Sequence, residues 1–166
     1  MRWIIYLALI AVTLLVPVNR TDVAKLQPVE VICLQRRGED LLIRTDTEDS
    51  GAGKNLKAAI EDLEKSTPGI IYLDTAEYLL IYPGCEMEAD QIKEYLKDNV
   101  RICEISQQIN LADAAVYLDI HRPQQTMRIW KPGETEVKLR IEDGRFQLVE
   151  NNKKKGEKGV DKTALP

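Results

Sequence analysis

The sequence predicts an α/β domain, with α+β as the alternative class. It would be a mixed sheet of about four to six strands with three helices and a C-terminal β-hairpin, preceded by one N-terminal transmembrane helix. Three observations predict it. Between Val29 and His121 short β-rich runs alternate with stretches of helical periodicity, the order that builds strand–helix–strand units. Asp143-Gly144 lies between two alternating apolar runs, a strong local hairpin signal. Trp3 to Val18 carries no charge and contains ten Ile, Leu or Val residues among sixteen. A chain of 166 residues fits one core plus its ends.

The apolar run spans about 24 Å as a helix, which local thinning and the interfacial side chains Trp3, Tyr6 and Arg20 can match to a bilayer. Residues 1–20 therefore read as a signal anchor or a signal peptide. The anchor is favoured because Val16-Pro17-Val18 is a poor cleavage site. Either outcome sends the rest of the chain across the membrane, with the amino terminus cytoplasmic. The expected localisation is the cell membrane, single-pass, with the C-terminal domain extracytoplasmic. Residues 21–28 read as a tether, 29–150 as the domain, and 151–166 as a Lys-rich disordered tail of net charge +3.

Within the domain, Val29 to Leu34 and Leu41 to Thr45 read as a hairpin across the polar turn Arg36 to Asp40. Asn55 caps a helix whose apolar stripe is Leu56, Ala59, Ile60 and Leu63, and Pro68-Gly69 ends it. Ile70 to Leu73 fits either a strand or a last helical turn. Tyr78 to Tyr82 reads as a buried strand ended by Pro83-Gly84, and Glu88 to Lys97 as a second helix. Val100 to Ile105 follows as a strand. Asn110 then caps a third helix that buries Leu111, Ala114, Ala115 and Leu118. Counting outward from Asp143-Gly144 pairs Glu142 with Arg145, Ile141 with Phe146 and Leu139 with Leu148.

The chemistry-bearing residues are few. A net charge of −4 argues against nucleic acid as a partner, and one His with three Cys leaves little for a metal site. No catalytic, cofactor or metal residue is assigned. Ser50-Gly51-Ala52-Gly53-Lys54-Asn55 looks at first like a phosphate loop. Glu48 stands where a Gly is needed and Asn55 where a hydroxyl is needed, so the segment reads as a flexible connection. Asp46, Glu48, Ser50 and Gly51 take calcium-loop positions, but Lys57 stands where the bidentate Glu belongs. Cys33 and Cys103 read as buried strand residues. If their strands were neighbours, an exported domain could bridge them. Cys85 reads as the exposed thiol, with His121 the sole His and no orienting partner for either. Asp74 and Glu77 are acids expected to approach by chance in a chain with 27 of them.

The order of hairpin, Gly-rich turn, helix, strand, helix, strand and helix ending in His121-Arg122-Pro123 resembles the N-terminal domain of the Ger(x)C family. These are the C-subunit lipoproteins of spore germinant receptors. The likeness lies in Ser50-Gly51 through Leu63, in Tyr78 to Tyr82 and in Val100 to His121. It departs from the family in lacking a lipidated Cys and in ending after one small domain. The resemblance implies a spore-former's membrane surface protein that works by contact and not by catalysis. No functional residue is carried over. The expected function is thus a membrane-anchored extracytoplasmic interaction or assembly module without enzymatic activity, linked to sporulation or germination. The alternatives are an envelope thiol or redox protein using Cys85 or the Cys33/Cys103 pair, and a small solute-binding module. Expected partners are the membrane, through Trp3 to Val18, and proteins at its surface.

Overall fold

A computed structural model describes Trp3 and residues 26–150. Apart from Trp3, the expectations for residues 1–25 and 151–166, the membrane helix and the Lys-rich tail among them, lie outside the described residues. Among the described residues no helix is long and apolar enough to cross a membrane.

Nine strands and three α-helices make up the described fold. In chain order they are β1 (Leu26–Pro28), β2 (Val31–Arg37), β3 (Asp40–Thr45), β4 (Ser50–Gly53) and α1 (Leu56–Ser66). Then come β5 (Ile70–Tyr72), β6 (Tyr78–Ile81), α2 (Glu86–Gln91), β7 (Arg101–Ile105), α3 (Leu111–His121), β8 (Val137–Glu142) and β9 (Arg145–Glu150). Seven strands form one mixed sheet in the order β4-β3-β2-β6-β7-β8-β9, and β1 pairs with β5 in a parallel ladder of its own. The sheet is one strand wider than the expected four to six because Ser50–Gly53, expected to be a connection, is a strand.

Its centre is parallel: β2, β6, β7 and β8 run the same way, and an antiparallel hairpin closes each side. Parallel strands covered on both faces should be apolar throughout, and all four residues of β6 are buried. Alternation divides them between two cores. Ile32, Leu34, Leu79, Ile81 and Ile102 face the side that α1 and α2 cover. Val31, Cys33, Leu80, Cys103 and Ile105 face α3. Tyr78 joins sheet to helix, donating its buried hydroxyl to the Leu118 carbonyl at 3.1 Å.

Both expected caps form: the Asn55 side chain accepts from the Ala58 N–H at 2.9 Å and that of Asn110 from the Asp113 N–H at 3.1 Å. The final hairpin adopts the expected register, Glu142 with Arg145, Ile141 with Phe146 and Leu139 with Leu148. Asp143 and Gly144 both hold positive φ, 50° and 72°, as the tight turn requires.

Three boundaries differ from expectation. Ser50–Gly53 is not a flexible connection but the edge strand β4, and its glycines are needed because α1 lies directly upon it. A Cβ on Gly51 would come 2.3 Å from both the Ala59 carbonyl oxygen and the Leu63 nitrogen. The outer edge of β4 is also closed by the helix. The Ala52 N–H donates to the Asp62 carboxylate at 2.8 Å and the Ser66 hydroxyl to the Ser50 carbonyl at 2.9 Å. Secondly, Leu26–Pro28, read as tether, is β1. Ile70–Tyr72, which fits either a strand or a helical turn by sequence, is its partner β5. Thirdly, α2 ends at Gln91 and tightens into a 3-10 turn over Ile92–Tyr95, so the regular helix stops well short of Lys97. The start of β7 is paired by the loop after α3 and not by β8. Thr126 bridges Arg101, with Ile102 N–H donating to the Gln125 carbonyl at 2.9 Å and Met127 N–H to the Val100 carbonyl at 2.7 Å.

Candidate functional site

The three thiols are the groups with the most chemistry to offer, and the fold withdraws all of them. Cys33 and Cys103 lie in register on either side of Leu80, on strands that are not neighbours. Both are free and buried. Burial pushes the Cys33 thiol up to about 11, although the Arg44 guanidinium donates to its sulfur at 3.7 Å and pulls the other way. Burial likewise pushes Cys103 up to about 12, with Glu150 adding to the rise. Cys85, expected to be exposed after Pro83-Gly84, is instead 0% exposed because the chain turns at once into α2 and folds the thiol beneath it. Burial and the nearby Glu88 raise it to about 11. A thiol of that kind is protonated and inert at neutral pH.

His121 does not approach Cys85. It ends α3 on one side of the sheet and stacks with Tyr117, ring centroids 4.2 Å apart, while Cys85 packs into the core on the other side. Asp74 faces Lys97 at 3.9 Å and forms no pair with Glu77. Two acids of the calcium-like segment are engaged in bonds within the fold. Asp46 accepts from the Glu30 and Val31 N–H groups, both at 3.0 Å, and Thr47 donates to Asp49 at 2.8 Å. Among the described residues no group of three or more His, Cys, Asp or Glu stands in ligating distance.

What the fold does present is apolar surface. In α3 the only polar residues are Asp113, Asp119 and His121, so burying one stripe leaves aliphatic side chains outside. Val116 is 66% exposed and Ile120 72% exposed, one helical turn apart. A cavity of about 310 Å³ runs beside them, where Glu30, Glu77 and Asp119 add carboxylates to the apolar wall of Val116 and Ile120. Two other depressions are polar. One of about 320 Å³ gathers Lys97, Arg101, Arg122 and Glu77, and one of about 250 Å³ lies between Arg44, Glu48 and the start of α3. Ligand pockets of roughly 300–1,000 Å³ are usually walled by apolar and aromatic groups.

A second apolar surface is built by the two-stranded ladder. In a parallel pair, residues in register point the same way. Leu26 with Ile70 and Pro28 with Tyr72 therefore share the outer face, while Ile71 turns into the core. Ile70 and Tyr72 are each nearly half exposed. Sequence reasoning missed both surfaces. The signal for the first was available, since an eleven-residue helix with three polar residues cannot bury every apolar one.

Comparisons with family models, with curated proteins and with solved structures return no match.

Proposed function

We propose that this chain is a membrane-anchored extracytoplasmic interaction or assembly module without enzymatic activity, acting in sporulation or spore germination. The observation that carries the proposal is the outer stripe of α3. Exposed aliphatic side chains in register on a helix, beside an open groove, are what a partner helix or strand fills. Singly exposed apolar residues are ordinary, but Val116 and Ile120 are consecutive on one face and continue into the groove wall.

The chemistry of the groove describes its partner. Glu30, Glu77 and Asp119 border it, and residues 26–150 hold fifteen Lys and Arg against twenty-four Asp and Glu, a net −9. The partner is therefore a protein segment with an apolar stripe flanked by Lys or Arg. The apolar run Trp3 to Val18 supports a site at the membrane surface, and the likeness to N-terminal Ger(x)C domains supports the link to spores.

A photo-crosslinking side chain placed at Ile120 in sporulating cells tests the proposal. It should give one discrete adduct with a membrane-associated protein, and Val116→Asp in the same chain should abolish the adduct without lowering the melting temperature. Absence of an adduct, or one that survives Val116→Asp, would refute it.

A further inference from the structure

We infer that the outer face of the β1/β5 ladder rests on the bilayer that holds the chain, seating the domain by one end instead of leaving it to swing on a tether. The inference rests on the membrane-anchor proposal and goes beyond it by naming the lipid-facing surface.

The position of the ladder argues for it. β1 runs within three residues into β2, and β5 leads through one 3-10 turn (Leu73–Thr75) into β6. The ladder thus continues the N-terminal end of the parallel strands. The Thr75 hydroxyl fixes it there, accepting from the Val29 N–H at 2.9 Å and donating to the Tyr72 carbonyl at 2.7 Å. That end is also where the chain arrives from the apolar run. Only residues 19–25 separate Val18 from Leu26. Eight steps of roughly 3.3–3.6 Å reach no further than about 29 Å, less than the width of the domain itself. Leu26 is held close to the headgroups even with the connection fully extended.

The chemistry of the face suits that place. Leu26, Pro28, Ile70 and Tyr72 present an aliphatic surface with one phenol. Tyrosine is enriched at the membrane interface because its ring is apolar and its hydroxyl stays hydrated. Electrostatics does not supply the attraction: with a net −9 over residues 26–150, the domain is repelled by anionic lipid. Seating therefore comes from apolar contact, which fixes the sign of its lipid dependence. It is strongest on zwitterionic lipid, weakens as anionic lipid is added, and recovers with salt.

The test uses the full chain in phosphatidylcholine vesicles that carry a nitroxide-labelled lipid. A fluorophore is attached at Ile70→Cys, or at Glu39→Cys in the turn at the far end of the sheet, the unmodified chain serving as the blank. Quenching should be several-fold greater at position 70 than at 39. Adding Tyr72→Asp to the position-70 chain should reduce it at least two-fold, and replacing half the lipid with phosphatidylglycerol at low salt should do the same. Equal quenching at both positions, or quenching that ignores Tyr72→Asp, in a chain that floats with the vesicles would overturn the seating while leaving the anchor standing. A chain that does not float would overturn the anchor and the seating together.

Discussion

Cys33 and Cys103 occupy the same register row of the central sheet with Leu80 between them, so they share a face and are separated by two strand spacings. Two spacings amount to roughly 9–10 Å between Cα atoms, beyond the ~7 Å limit for a disulfide. Even in an oxidising compartment the sheet would have to open before the bridge could close.

The thiols should accordingly be silent. A thiol reagent at neutral pH should label none of Cys33, Cys85 and Cys103 in the native protein within minutes, and all three once urea unfolds it. Mobility on a non-reducing gel should not change with oxidant. Fast labelling of Cys85 in the native state would show that α2 does not cover it, and would revive the redox alternative.

Alkaline pH should destabilise the fold. Burial raises Cys33 and Cys85 to about 11 and Cys103 to about 12, from 9.0 for a free thiol. Between those limits the unfolded chain loses thiol protons that the folded chain keeps. The free energy of unfolding therefore falls as pH rises above 9, and the contribution is fully present below it. For Cys33 and Cys103 the loss is on the order of 2–3 kcal/mol each by pH 11. Urea melts of the native chain and of a variant with both changed to Ala check this. The variant should show the smaller alkaline loss, and equal slopes would contradict the assignment.

Gly51→Ala should destabilise the domain by about 2–4 kcal/mol, since the new methyl meets the backbone of α1 and not a side chain that can move. Gly38→Ala probes a different cause. Gly38 has open space around it and a φ of 63°, so only backbone strain of about 1 kcal/mol opposes the methyl. Chemical denaturation of the two variants should rank them in that order.

These glycines show where the sequence was hard to read. A Gly-rich stretch before a helix looks flexible because the missing Cβ widens the conformational range. In this fold the same absence lets α1 approach, and that reason resides in Ala59 and Leu63, not in the strand itself. β1 was hidden for a related reason: three residues show no periodicity, and their partner Ile70 to Tyr72 lies more than forty positions away. The burial of Cys85 is not legible locally because Pro83-Gly84 marks a loop, while the covering of that loop depends on α2 folding back. Signals that complete themselves locally are legible in the sequence. Asn55 and Asn110 bond within three residues, and Asp143-Gly144 dictates a register that its own two strands satisfy. The exposed stripe of α3 was half legible. Its buried residues follow from spacing, whereas the exposure of Val116 and Ile120 depends on which neighbours the sheet supplies.

Removing residues 151–166 should leave the melting temperature unchanged within error. The tail holds five Lys against Glu157 and Asp161 and has few apolar side chains to bury. A drop of several degrees in a calorimetric scan would mean that it docks on the domain.

The account depends most on the side of the membrane where the domain folds. Alkaline phosphatase fused after Pro166, a reporter active only outside the cytoplasm, measures this directly when assayed in membranes washed with alkaline carbonate. The account predicts full phosphatase activity retained in the washed membranes. An inactive fusion, or activity released into the wash, would contradict it.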